Sequence, residues 1–171
     1  LVSLLLNHTK INLVGVTSRS FSGQTVESQI PHLRGKANGL TFSNPSIEDL
    51  SKNQDCDLFF LALPHGTASS YAIPLLDAGK KVIDLSADFR LNSPDCYEEF
   101  YGSPHPAPQW LERAAYGLPE IHSLSWDNSP LIASPGCYPT SIIIPLFPLL
   151  QNDLINPNNI IANSMSGVSG A

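Results

Sequence analysis

Apolar and polar positions along the chain alternate in short runs that predict helices between strands. Residues 1–8 (LVSLLLNH) pattern as the later part of an amphipathic helix, and residues 11–18 (INLVGVTS) as a strand. After a polar, Gly-containing region, Ser46 suits the N-cap of a helix over SIEDL (46–50), with Glu48 and Asp49 in its first turn. CDLFFLALP (56–64) is a nearly continuous apolar run, as expected of a strand covered on both faces. A helix over residues 66–81 then ends at Gly79, a natural residue for the position just past a helix, and KVIDLS (81–86) is the next strand.

Pro94, Pro104, Pro106, Pro108 and Pro119 predict an irregular stretch over residues 87–129. PLIASPG (130–136) follows as a strand and YPTSIIIPLFPLLQND (138–153) as a helix that Pro145 and Pro148 would kink or shorten. NIIANSMSG (159–167) closes the pattern as a strand. Such alternation with buried-type strands predicts a parallel α/β sheet covered on both sides. Right-handed crossovers then gather the strand-end loops on one edge, where doubly wound sheets bind ligands. Those loops are Thr17–Ser20, Leu63–Gly66, Leu85–Arg90, Ser134–Cys137 and Ser166–Gly170.

The candidate chemistry sits in the same loops. Cys137 follows a strand and opens a helix, with Pro139 suited to the first turn. A thiol there meets the positive end of the helix dipole and unpaired amides, which favour a thiolate and can hold an oxyanion. Small neighbours, Ser134 and Gly136, leave room for a substrate; a buried small hydrophobe is the competing reading of a free cysteine. Thr17–Ser20 offers Ser18, Arg19 and Ser20 where dinucleotide folds usually place an acid for the ribose, which favours NADP over NAD. Pro64 and Gly66 shape a turn that can pass a cofactor, and His65 within it reads as a hydrogen-bonded loop residue. Arg90 can grip a phosphate or carboxylate, or pair structurally with Asp84 or Asp88. SGVSGA (166–171) has the composition of an anion-cradling nest.

Composition narrows the field. The chain has 171 residues, 42% hydrophobic and 14% charged, which suits a folded core rather than disorder. Its net charge of -6 carries no basic stripe, so neither nucleic acid nor a membrane surface is an expected partner, and no apolar run is long enough to span a bilayer. Cys56, Cys96 and Cys137 are dispersed, as are the histidines, so no metal site is expected and a reducing compartment is favoured. The start without Met and the Gly/Ser finish suggest that both ends are cuts.

Taken in order, LALPHG, VIDLSADFRL, AAYGLPE, ASPGCYPT and SGVSGA resemble the signature stretches of the N-acetyl-gamma-glutamyl-phosphate reductase family of arginine biosynthesis. The resemblance implies an incomplete Rossmann-type doubly wound parallel sheet for NADP(H) over residues 1–165. Residues 166–171 would begin the connection to a second α/β domain, as in glyceraldehyde-phosphate and aspartate-semialdehyde dehydrogenases. It implies that Cys137 displaces phosphate from a small acyl phosphate, that NADPH reduces the thioester, and that the aldehyde is released. Ser18, Arg19, Pro64, Ser166, Gly167, Ser169 and Gly170 would lie along the cofactor, and Arg90, Ser134 and Gly136 by the substrate. The family's Gly-rich loop is expected before Leu1 and its acid/base histidine beyond Ala171, so this stretch alone is expected to be inactive. The resemblance further implies a homodimer or homotetramer in the cytoplasm, or in plastid stroma for a plant protein. The alternatives are a homologous reductase of lysine biosynthesis acting on a longer or carrier-bound acyl phosphate, a cysteine hydrolase, and a non-catalytic nucleotide-binding fragment.

Overall fold

The strand ladders are parallel, as the continuous apolar runs predict, apart from one isolated antiparallel bridge between Thr25 and Thr41. The computed structural model describes residues 1–121, 128–165 and 167. They fall into two units, Leu1–Cys56 and Asp57–Ala171.

The first unit runs α1 (Val2–Leu6), β1 (Val16–Thr17), α2 (Val26–Gln29), β2 (Phe42–Ser43) and α3 (Ile47–Lys52). β1 pairs with β2, Val16 opposite Phe42 and Thr17 opposite Ser43. Val16, Val26, Leu33 and Ala37 are its buried core, with Val2, Leu6, Leu13, Ile30, Leu40 and Phe42 packed against them. The strand expected over 11–18 is only Val16–Thr17; Leu13 contributes to the core from irregular backbone. Ser46 caps α3 as expected, its hydroxyl accepting the Asp49 amide at 3.1 Å while the Asp49 carboxylate accepts the Ser46 amide at 3.3 Å.

The second unit holds β3 (Leu58–Leu61), α4 (Ala68–Asp77), β4 (Lys81–Asp84), α5 (Pro94–Tyr101), α6 (Pro108–Leu111), β5 (Ala115–Tyr116), β6 (Leu131–Ala133) and α7 (Cys137–Gln151). The sheet order is β3-β4-β6-β5, which places β4 between two neighbours and explains why Val82 and Asp84 are buried. α4 packs on β3 and β4 and buries Ala68, Ala72, Leu75 and Leu76, one helical face. Gly79 takes a φ of 77° just past its end, as expected.

Two expectations fail here and one holds. Residues 87–129 are not irregular throughout, because Pro94 and Pro108 open helices instead of breaking them. Proline costs nothing at a first helical position, where its missing N–H has no partner to lose. The helix expected over 138–153 is α7, which runs through Pro145 and Pro148 as one helix of 15 residues ending at Gln151. Residues 159–165 form no strand, and Ile161 and Met165 are almost fully exposed. Among the described residues no helix is long and apolar enough to cross a membrane, and no group of His, Cys, Asp and Glu could hold a metal ion.

The core of the second unit includes a histidine. His105 is buried, with ring contacts to Phe89 and Tyr97, and its Nδ1 accepts the Ala107 amide at 3.0 Å. Burial pushes its pKa below the ordinary 6.5, against the pull of the Asp88 charge. The folded ring therefore stays neutral where the unfolded chain already binds a proton. Stability from this site is present above about pH 6.5 and is lost as pH falls below it. Urea midpoints measured near pH 8 and near pH 5.5 should drop on acidification, and less so in His105→Asn, whose carbonyl can still accept the Ala107 amide. An equal drop in both proteins would place the effect elsewhere.

Candidate functional site

Because β3, β4 and β6 are parallel, their carboxyl ends deliver three loops to one edge of the sheet: residues 62–67, 85–93 and 134–136. The loop after β6 ends in the thiol. Gly136 is the N-cap of α7 in extended backbone, and Cys137 is the first helical residue, exposed to solvent. The Gly136 carbonyl accepts both the Thr140 amide at 3.0 Å and the Thr140 hydroxyl at 2.8 Å, which closes the first turn. Pro139 has no N–H. The amides of Cys137 and Tyr138 are thus the first-turn donors beside the sulfur.

Arg90 holds this loop from β4's side. Its Nε donates to the Ser134 carbonyl at 2.8 Å and its Nη2 to the Leu85 carbonyl at 2.9 Å. A Cβ added at Gly136 would lie 3.1 Å from Arg90 Nη1 and 3.3 Å from Pro139 Cδ, so a larger residue there would press on the guanidinium and the proline ring. The Ser134 amide donates to the Asp84 carbonyl at 2.7 Å. Of the two roles open for Arg90, the structural one takes this form: the guanidinium bridges carbonyls, not the neighbouring aspartates.

Those aspartates form a buried chain of their own. Asp84 accepts the Ser86 amide at 2.9 Å and the Ser86 hydroxyl at 2.7 Å, and Ser86 Oγ accepts the Asp88 amide at 3.1 Å. Burial pushes the Asp84 carboxyl above the ordinary carboxylate range; the Ser86 donors and Arg90 pull it back, while Asp88 adds to the rise. Asp88, 1% exposed, accepts the Gly66 amide at 2.7 Å and the Ser69 amide at 3.0 Å, and His65 Nδ1 lies 3.0 Å from the oxygen that takes the Gly66 amide. His65 is thus a loop residue paired with Asp88, and its ring packs against Tyr101 at 4.5 Å, tilted by 39°. The pairing of Asp88 with residues twenty or so earlier was not read from the sequence. Its one trace there is Asp84-Ser86-Asp88, alternating polar residues at the end of a buried strand.

The remaining expected residues are placed as follows. Pro64 is exposed in its turn, and its carbonyl accepts the Thr67 amide at 3.2 Å. The Ser18 amide donates to the Ser43 carbonyl at 2.9 Å, and its hydroxyl accepts the Phe21 amide at 3.3 Å. Arg19 beside it is exposed. These two belong to the first unit, at the end of β1. Gly167 is exposed, whereas Ser166, Ser169 and Gly170 lie outside the described residues.

Residues 1–128 match the family described as semialdehyde dehydrogenase, NAD binding domain. The chain belongs to the semialdehyde dehydrogenase family. Residues 137–171 match a second description, semialdehyde dehydrogenase, dimerisation domain. That match begins at Cys137, inside the 1–165 stretch expected for the cofactor domain. The chain is 48% identical over its whole length to an N-acetyl-gamma-glutamyl-phosphate reductase of Akkermansia muciniphila, of which it covers 49%. It is 49% identical over 98% of its length to the protein of that name from Desulfotalea psychrophila, of which it covers 47%. The chain therefore spans about half the length of the curated relatives it matches. Among solved structures, aspartate semialdehyde dehydrogenase with NADP from Candida albicans matches at a TM-score of 0.52 and 15% identity, over 86% of this chain and 42% of that one. At that identity the likeness concerns the fold, and it agrees with the expected Rossmann-type parallel sheet.

In this semialdehyde dehydrogenase chain, Arg90→Lys keeps the charge but not the planar fork that reaches two carbonyls. It should cost about 1–3 kcal/mol in denaturant unfolding and speed amide hydrogen exchange at Ser134. Unchanged exchange there would show that the loop does not depend on the clamp.

Proposed function

We propose that the protein containing this chain reduces N-acetyl-gamma-glutamyl phosphate with NADPH to N-acetylglutamate 5-semialdehyde and phosphate. The observation that carries the reading is Cys137, exposed at the first residue of α7 and beside the first-turn amides of Cys137 and Tyr138, in a chain about half identical to reductases of that name. The Cys137 thiolate attacks the acyl carbonyl, a carbon–sulfur bond forms, and the carbon–oxygen bond to phosphate breaks with its electron pair leaving on phosphate. The Cys137 and Tyr138 amides are placed to hold the negative oxygen of that addition. NADPH supplies the hydride that reduces the resulting thioester. The carbon–sulfur bond then breaks, the aldehyde leaves, and the thiolate is restored.

The residues at the end of β1 suit that cofactor. Thr17–Ser20 carries no carboxylate to repel a 2′-phosphate, and it presents the Ser18 hydroxyl and the Arg19 guanidinium. Pro64, Gly167 and the neighbouring Ser166, Ser169 and Gly170 complete our cofactor assignment. Arg90, Ser134 and Gly136 are assigned to the acyl phosphate. The match of residues 137–171 to a dimerisation domain supports a homo-oligomer.

The test is NADP reduction by the full-length protein with N-acetylglutamate semialdehyde and phosphate. Cys137→Ser should lower the rate by more than about a thousandfold, as expected when the covalent nucleophile is lost. Retained turnover in the variant would sink the nucleophile, and turnover with only the one-carbon-longer aldehyde would sink the substrate.

A further inference from the structure

α4 begins without a cap of its own. Its N-cap residue, Thr67, has helical backbone (φ -108°, ψ -30°) and makes no side-chain capping bond. The acceptor comes from another loop: Asp88 takes the Ser69 amide on one oxygen and the Gly66 amide on the other, and that second oxygen lies 3.0 Å from His65 Nδ1. A buried carboxylate thus occupies the place at a helix start where an anionic ligand group would otherwise find its donors. The same residue dictates the shape of the turn, since Gly66 is held at a φ of 77° with its amide aimed at Asp88. His65 is fixed twice, by Asp88 and by stacking on Tyr101, which itself stacks on Tyr97 at 4.6 Å.

We propose that Asp88 is the positioning residue of the cofactor edge, acting through His65 and the Pro64–Gly66 turn rather than by touching the cofactor. By closing the α4 start to anions, it leaves the turn able to meet the dinucleotide only through its main-chain surface and the imidazole face. The negative charge behind the turn steers the phosphates away from α4. This proposal rests on the reading of this sheet edge as an NADPH site.

The experiment titrates NADPH against the full-length protein, its variants Asp88→Asn, His65→Ala and His65→Asn, and follows acylation of Cys137 by mass spectrometry without cofactor. Asp88→Asn should weaken NADPH binding by about tenfold or more, as a small misplacement of a binding group does, while slowing acylation less than about twofold. A purely structural role would lower the folded fraction and depress both readouts together, and that result would overturn the proposal. Should Asp88→Asn not fold, the histidine pair decides. His65→Asn can still donate to Asp88 and should keep the affinity that His65→Ala loses. Equal losses in the two would mean that His65 acts directly, and equal retention would mean that the turn needs no positioning; either overturns the assignment. Failure of the unmodified protein to bind NADPH would instead overturn the cofactor reading beneath it.

Discussion

The loops at the carboxyl edge of the second unit depend on carboxylates that water cannot reach. Asp84 and Asp88 are both buried, and a buried charge is tolerated only when donors replace the lost hydration. Asp88 gathers two amides, with the His65 imidazole 3.0 Å away; Asp84 gathers two donors, both from Ser86. All but the Ser69 amide, in the first turn of α4, belong to strand-end loops, so satisfying the charges also orders those loops. The chain continues from the Asp84 carbonyl to the Ser134 amide, and so reaches the loop that carries Cys137. Sheet register sets up this continuity, because Leu61, Asp84 and Ala133 stand side by side at the last rungs of β3, β4 and β6.

The same dipole physics is used in opposite ways at two helix starts of this unit. At α4 the exposed amides are answered by Asp88, an internal anion, and the end is closed. At α7 the N-cap is glycine and makes no side-chain capping bond, and the first helical residue is a cysteine. An anion on or beside that sulfur would find first-turn donors there, and among the described residues no carboxylate takes up those amides as Asp88 does at α4. The two helix starts therefore differ in one physical respect: the first-turn amides of α4 are answered from within the chain, whereas α7 opens on a glycine cap and an exposed thiol.

What was legible in the sequence was local. Ser46 with Asp49, Gly79 at the end of α4, and Cys137 at the start of α7 are each decided within one helical turn, and residue type alone reveals them. α5 was equally local, with Ser93 as cap, Pro94 at the first position and Gly102 left-handed at the end, but its prolines were weighed as breakers instead of starters. Strands were harder, because a strand exists only with a neighbour to bond. Residues 159–165 have the apolar content of one and form none, while much of 11–15 packs or hangs without a ladder. The Asp88 cluster was out of reach for the same reason: its partners stand 19 and 22 residues away. Nothing in DLSADFRL says which loop will supply the donors.

Arg90 shows why the structural and substrate readings of a residue need not compete. A guanidinium is a planar fork of several donors. Nε and one hydrogen of Nη2 are committed to the Ser134 and Leu85 carbonyls. Nη1 lies against Gly136, the residue before Cys137 at the start of α7. The carbonyl clamps hold the plane of the fork, and a fork held in place loses little further freedom when it meets an anion. A lysine could supply the charge but would pay for its orientation at each encounter. The clamp that makes Arg90 look structural is thus compatible with the anion-binding role proposed for it.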